Sequence, residues 1–147
     1  YIEFGMFNNL YWYINGGLLW DKKDVQFADF KHFATTTLPV TIRDLDKGFS
    51  LLDNYEMSTA SRWVQTNIMW STPYLLVKHL PFLRRKPFNE ALHFRSLAVY
   101  DQIVYSELGY SLGIPEIGRF GVFVGFDMFS YKAVGVSFFL PILKTRL

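Results

Sequence analysis

The sequence predicts an all-β fold, an antiparallel transmembrane β-barrel with about eight strands present, on three observations. Apolar residues recur at every second position over long stretches. The faces opposite them are built from Tyr, Gly, Ser, Asn and isolated charges, where a soluble sheet would show Lys, Glu and Thr. The segments run about 9–11 residues, enough to cross a bilayer when tilted. In GRFGVFVGFDMF (118–129), Phe120, Val122, Val124, Phe126 and Met128 oppose Arg119, Gly121, Phe123, Gly125 and Asp127. A period of two belongs to a strand whose faces meet different media.

The N-terminal segment sets Ile2, Phe4 and Met6 against Tyr1, Glu3 and Gly5. Asn8 and Asn9 follow, two residues that tolerate the positive φ of a tight hairpin turn. In LYWYINGGLLW (10–20), Leu10, Trp12, Ile14, Leu18 and Trp20 oppose Tyr11, Tyr13, Asn15 and Gly17. DKKD (21–24) reads as a polar turn before a less regular strand over 25–33. Alternation disappears over 34–60, which reads as a long loop with a short helical turn; loops of that length are usually functional or disordered. SRWVQTNIMW (61–70) has strand character again. The 72–88 stretch carries three prolines and a basic cluster. Prolines so placed forbid a central strand or a long helix, leaving a compact turn with an amphipathic piece. Strands then follow over 89–100, 103–113, 118–129 and 131–142, the last two joins being the short connectors IPEI (114–117) and FS (129–130).

Composition bounds the class. At 147 residues the chain suits a single β-barrel region, 1–147. A net charge of +2 with no long basic run gives no case for nucleic acid. The absence of cysteine excludes disulfides, zinc-thiolate sites and thiol catalysis within the chain. No run of about 18 apolar residues could form a membrane-spanning helix. The chain opens at Tyr1 in mid-pattern, without an initiator methionine or a signal sequence, so it is expected to be a piece of a longer protein.

If the last strand ends on the periplasmic side, counting back places the 34–60 loop outside the cell, with DKKD and IPEI as short inner turns. Long outer and short inner connections are the rule for such barrels. The 72–88 segment is then an unusually long periplasmic connection. The aromatic residues Trp12, Trp20, Trp63, Trp70 and Tyr131 suit interfacial girdles.

Three groups of residues are candidates for chemistry. Glu107, Arg119 and Asp127 point to the small-residue face as a lumen charge cluster, where opposite charges can pair. Asp29 and His32 form a polar motif in DFKHF. Lys78, Arg84, Arg85 and Lys86, set among leucines and Phe82, form an interfacial basic group suited to lipid headgroups; an ordinary anchoring turn with snorkelling basic residues fits the same pattern. His79 and His93 have no metal-site spacing. Ser58, Ser61 and Ser71 lack a G-x-S-x-G setting, so a hydrolase is poorly supported. No metal or cofactor is expected.

Four stretches carry a resemblance: FADFKHF (27–33), FSLLDNYEMST (49–59), LPFLRRKPFNE (80–90) and YSELGYSLGIPEIGRFGVF (105–123). In this order and spacing they resemble the C-terminal barrel region of a Bacteroidota outer-membrane family of unknown function, DUF5686. The resemblance implies an integral outer-membrane β-barrel with no established catalytic role. It also implies that the chain holds the final strands of a larger barrel and lacks that family's N-terminal domain. The chain ends LPILKTRL without a terminal aromatic, so the assembly signal usual in outer-membrane strands is expected to be weak or displaced to Phe138 and Phe139. The expected function is non-catalytic transport, assembly or structural support in the bacterial outer membrane. The expected partners are outer-membrane lipid and other outer-membrane or periplasmic proteins. A soluble β-barrel holding a small apolar ligand is the alternative, and the direction of the oily face separates the two.

Overall fold

A computed structural model of the chain describes residues 2–4, 7–18, 26, 30–35, 40–41, 48–53, 55–73, 75–81, 88–100, 102–115 and 117–140. They form one sheet of eight strands: β1 (Ile2–Phe4), β2 (Asn8–Leu18), β3 (Val40–Thr41), β4 (Arg62–Thr72), β5 (Asn89–Val99), β6 (Tyr105–Ile114), β7 (Gly118–Asp127) and β8 (Ser130–Phe139). The order across the sheet is β1-β2-β4-β5-β6-β7-β8-β3. Seven strands pair antiparallel; the two-residue β3 pairs parallel with Phe138 and Phe139 at the edge of β8. Among the described residues no ladder joins β1 to β3, so the sheet is open. The only described helical element is a 3-10 turn, Val77–His79.

The two faces of this sheet are chemically inverted. On one, Trp12, Ile14, Val64, Leu92, Phe94, Leu108, Phe120, Val122, Val134 and Val136 are exposed. On the other, Gln65, Asn67, His93, Arg95, Glu107, Ser111 and Ser137 are buried. The alternation along each strand fixes which residues share a face, and the register aligns those faces across the sheet. Leu108 lies opposite Phe94 and Val124, and Glu107 opposite Arg95 and Gly125.

At one end of the buried face an apolar cluster joins Phe49, Leu52, Met57, Leu97, Val99 and Tyr105, with Phe33 and Trp63 packed against it. Three of these residues come from the 34–60 connection. The expected long loop therefore folds onto the buried face over its 48–59 portion.

Several expectations shift. β2 and β4 are antiparallel with Leu18 opposite Arg62, so the whole 19–61 connection leaves and returns at one end of the sheet. The DKKD turn expected at 21–24 lies outside the described residues. The strand expected over 25–33 is absent among the described residues of that stretch. Lys31 and Thr35 instead make isolated bridges to Thr59 and Phe49. Asn8 and Asn9 belong to β2 and pair with Phe4 and Glu3 of β1. Pairing with β4, where Asn9 faces Ser71, extends the strand through the expected turn.

The β7–β8 turn falls on Met128 and Phe129, with φ of 44° and 76°. Positive φ at both positions suits a two-residue hairpin in a twisted sheet, although neither residue favours it. Between Gly125/Phe126 of β7 and β8 the register shifts, and Lys132 is the extra residue.

Two glycines on the buried face are space-fillers in reverse. A Cβ at Gly109 would lie 2.2 Å from the ring of Phe123, its partner on β7. One at Gly135 would lie 2.3 Å from the side chain of Leu51. Each glycine leaves room for a large neighbour lying across the strand.

Gly109→Ala is therefore expected to lower the stability of the full-length protein by about 1–3 kcal/mol through overpacking. Adding Phe123→Leu is expected to recover part of that loss, a coupling readable in a double-mutant cycle of denaturation midpoints.

Candidate functional site

The buried face is organised around the Glu107 carboxylate, which has no exposure to solvent. Glu107 sits on β6 directly opposite Arg95 on β5. Arg95 Nη1 donates to Glu107 Oε2 at 3.0 Å and to Ser50 Oγ at 2.8 Å. The backbone N–H of Ser50 donates to both carboxylate oxygens at 2.9 Å, and that of Leu51 donates to Oε1 at 2.8 Å. Tyr105 completes the set through its hydroxyl, 2.8 Å from Oε1. The Arg95 guanidinium also lies over the Phe123 ring, 4.5 Å from its centroid. A buried charge requires this density of partners, because desolvation costs several kcal/mol per ion.

A second carboxylate plays the same part at the other end of β5. Glu90 lies on the bare face with Leu92 and Phe94, yet it is fully buried. The start of the 72–88 connection covers it. The N–H groups of Leu75, Leu76 and Val77 donate to its oxygens at 3.1, 2.7 and 3.1 Å, and the Tyr110 hydroxyl donates at 2.6 Å. Each carboxylate thus gathers N–H groups of a segment through which no described ladder passes.

The expected charge cluster resolves into separate contacts. Glu107, Arg119 and Asp127 share the buried face, but Arg119 and Asp127 stand at opposite ends of β7. Eight residues of strand place them roughly 26 Å apart, so they do not pair. Arg119 Nη1 lies 3.7 Å from the Met69 sulfur. Asp127 lies 3.5 Å from the Lys132 ammonium, which also pairs with Glu56 of the 48–59 segment. The cation of Glu107 is Arg95, which the sequence reading did not single out. The pairing rests on the β5–β6 register, in which paired positions are centred on residue 101.

His32 Nδ1 and Ser58 Oγ are hydrogen-bonded at 2.8 Å, and the imidazole meets the Tyr55 ring edge-on. Its expected companion Asp29 lies outside the described residues. His93, isolated in sequence, bonds Ser111 through Nε2 at 2.7 Å and packs against Phe123. No carboxylate joins that His–Ser pair among the described residues. Nor does any group of three or more His, Asp or Glu among them have the geometry to hold a metal. Lys78 lies exposed in the 3-10 turn. Arg84, Arg85 and Lys86 lie outside the described residues.

Residues 1–112 match the model of a family of unknown function (DUF5686), C-terminal domain. The chain belongs to this family. Neither the curated proteins nor the solved structures give a match. The DUF5686 match spans β1 to β5 and most of β6, so Glu90, Arg95, Glu107 and the 48–59 segment lie within it. Arg119, Asp127 and Lys132 lie beyond it.

Glu107→Ala leaves Arg95 buried without its counter-charge and removes the acceptor of two backbone N–H groups. Its expected cost is about 3–5 kcal/mol, against roughly 1 kcal/mol for Ser50→Ala, which removes a single neutral acceptor. Denaturation midpoints of the two full-length variants against the parent check the ordering.

Proposed function

We propose that this chain is part of an integral outer-membrane β-barrel with a non-catalytic role in transport, assembly or structural support. The observation that carries the reading is the inversion of the sheet, with aliphatic and aromatic side chains bare on one face and polar side chains buried on the other. In water such a face is unfavourable, by about 25 cal/mol for each Å² of apolar surface left exposed. Against lipid it is the expected exterior of a barrel.

The polar atoms of the bare face support the same reading. Trp12 Nε1 donates to Thr66 Oγ1 at 3.0 Å, and the Ser106 hydroxyl donates to that of Ser96 at 3.1 Å. Glu90 is capped by three N–H groups and a phenol. Hydrocarbon cannot satisfy a polar group, so groups facing it bond to one another. In this reading lipid is the principal partner, and the unpaired edges of the sheet are closed by further strands of the same barrel. We assign the protein to the bacterial outer membrane, a location that the bare apolar face supports. Lys78 and the exposed Leu76 and Leu80 stand at the end where β4 leaves the sheet, suited to the inner headgroup layer.

The soluble alternative requires an apolar interior for its ligand. The buried face here is polar over most of its length, and its apolar cluster is filled by the protein's own Phe49, Leu52 and Met57.

Fractionation of cells carrying the full-length protein tests the proposal. The protein is expected to stay in the outer-membrane fraction through alkaline washing and to migrate differently on a gel before and after boiling. Val122→Arg sharpens the test: at mid-strand on a lipid-facing surface it is expected to cost about 2–4 kcal/mol and reduce the heat-modifiable band. On a water-facing surface the same change falls within about 0.5 kcal/mol. A protein that washes off and tolerates Val122→Arg overturns the reading.

A further inference from the structure

We propose that residues 48–53 and 55–59 form a releasable plug that closes the polar interior, held by two electrostatic catches of different depth. The role of closing an interior rests on the barrel reading above.

The segment is attached to the sheet by side chains far more than by backbone pairing. Its only described bridges are single ones, from Phe49 to Thr35 and from Thr59 to Lys31, and both partners belong to the same connection. None of the ladders β2–β4, β4–β5, β5–β6, β6–β7 and β7–β8 passes through it. Releasing it therefore breaks no strand pairing between those five pairs. Such elements come from the low-stability end of a structure.

The inner catch is the Glu107 carboxylate, fixed on β6 by Arg95 and Tyr105, which receives the N–H groups of Ser50 and Leu51. It has no access to water, so its hydrogen bonds are charge-assisted and unscreened. The Leu51 side chain seats in the space that Gly135 leaves open. The outer catch joins Glu56 of the segment to Lys132, which also faces Asp127. Lys132 reaches this position as the extra residue where the β7–β8 register shifts. That cluster is partly exposed, and such pairs contribute about 1 kcal/mol or less. Between the catches, Phe49, Leu52 and Met57 cover Leu97, Val99 and Tyr105.

The geometry makes Glu107 the determinant of seating and Lys132 a trimming contact. Once the segment leaves, the wall carrying Arg95, Glu107, His93 and Ser111 faces the interior.

The test is thiol labelling of the full-length protein with Met57→Cys as its only cysteine, using a membrane-impermeant maleimide. Asp53→Cys, at an exposed position of the same segment, sets the rate for an accessible thiol. Met57 is buried, so its cysteine is expected to label far more slowly than that at 53. Adding Glu107→Gln is expected to raise the rate roughly tenfold or more, and adding Lys132→Met roughly two- to fivefold, the factors that these bond classes give. Unboiled gel mobility is read on every sample. Equal rates in the three Met57→Cys proteins, with the heat-modifiable band retained, overturn the catches. A Met57→Cys rate equal to that of Asp53→Cys overturns the seating itself. If Glu107→Gln alone loses the band, the Lys132→Met rate decides: a rise supports the plug and no change overturns it. Loss of heat-modifiable mobility in the parent overturns the barrel reading separately.

Discussion

A carboxylate without access to water has to be matched donor for donor, and at Glu107 those donors come from two strands and a distant connection together. Arg95 supplies the charge from β5, Tyr105 a phenol from β6, and Ser50 and Leu51 their N–H groups from the segment between β2 and β4. Ladders can hold the strands without this contact. They cannot position residues 48–53 and 55–59, through which no described ladder passes. The carboxylate therefore ties this part of the connection to the sheet. Glu90 repeats the arrangement at the far end of β5, where it gathers the N–H groups of Leu75, Leu76 and Val77.

That requirement shapes the neighbouring positions. Large side chains lie across the buried face, and the residues beneath them are small. Phe123 covers Gly109 and stacks with both Arg95 and His93, so one ring screens a charge and shapes a hydrogen-bonded imidazole. Leu51 occupies the space over Gly135. The glycines that weaken these strands intrinsically are what allows a polar face to be closed by bulky groups. On the opposite face Val, Leu, Phe and Trp side chains stand bare, and the hydroxyls of Ser96 and Ser106 bond to each other.

Alternation of period two was enough to place β2, β4, β5, β6, β7 and β8 and, in β2, β6, β7 and β8, to sort residues between two faces, because strand geometry leaves no other choice once the pattern is long. It failed at the described residues 30–33, where Lys31 makes a single bridge, and at Asn8-Asn9, which pairing with β4 drew into the strand. Both are places where a partner distant in sequence outweighs local turn or strand preference. The charges were visible too, but their grouping was not. Glu107, Arg119 and Asp127 share a face, yet strand rise separates Arg119 from Asp127 along β7.

The sequence by itself determined the all-β class and, for β2, β6, β7 and β8, which residues share a face, since both follow from the spacing of neighbours along one chain. Only the tertiary structure decided that Arg95 is the partner of Glu107, that Lys132 reaches Glu56, and that the long connection turns onto the polar face. Those contacts join residues 12, 76 and more than 55 positions apart. Their formation depends on register, a bulge and the need of a buried carboxylate for donors, and none of these is a property of a single segment.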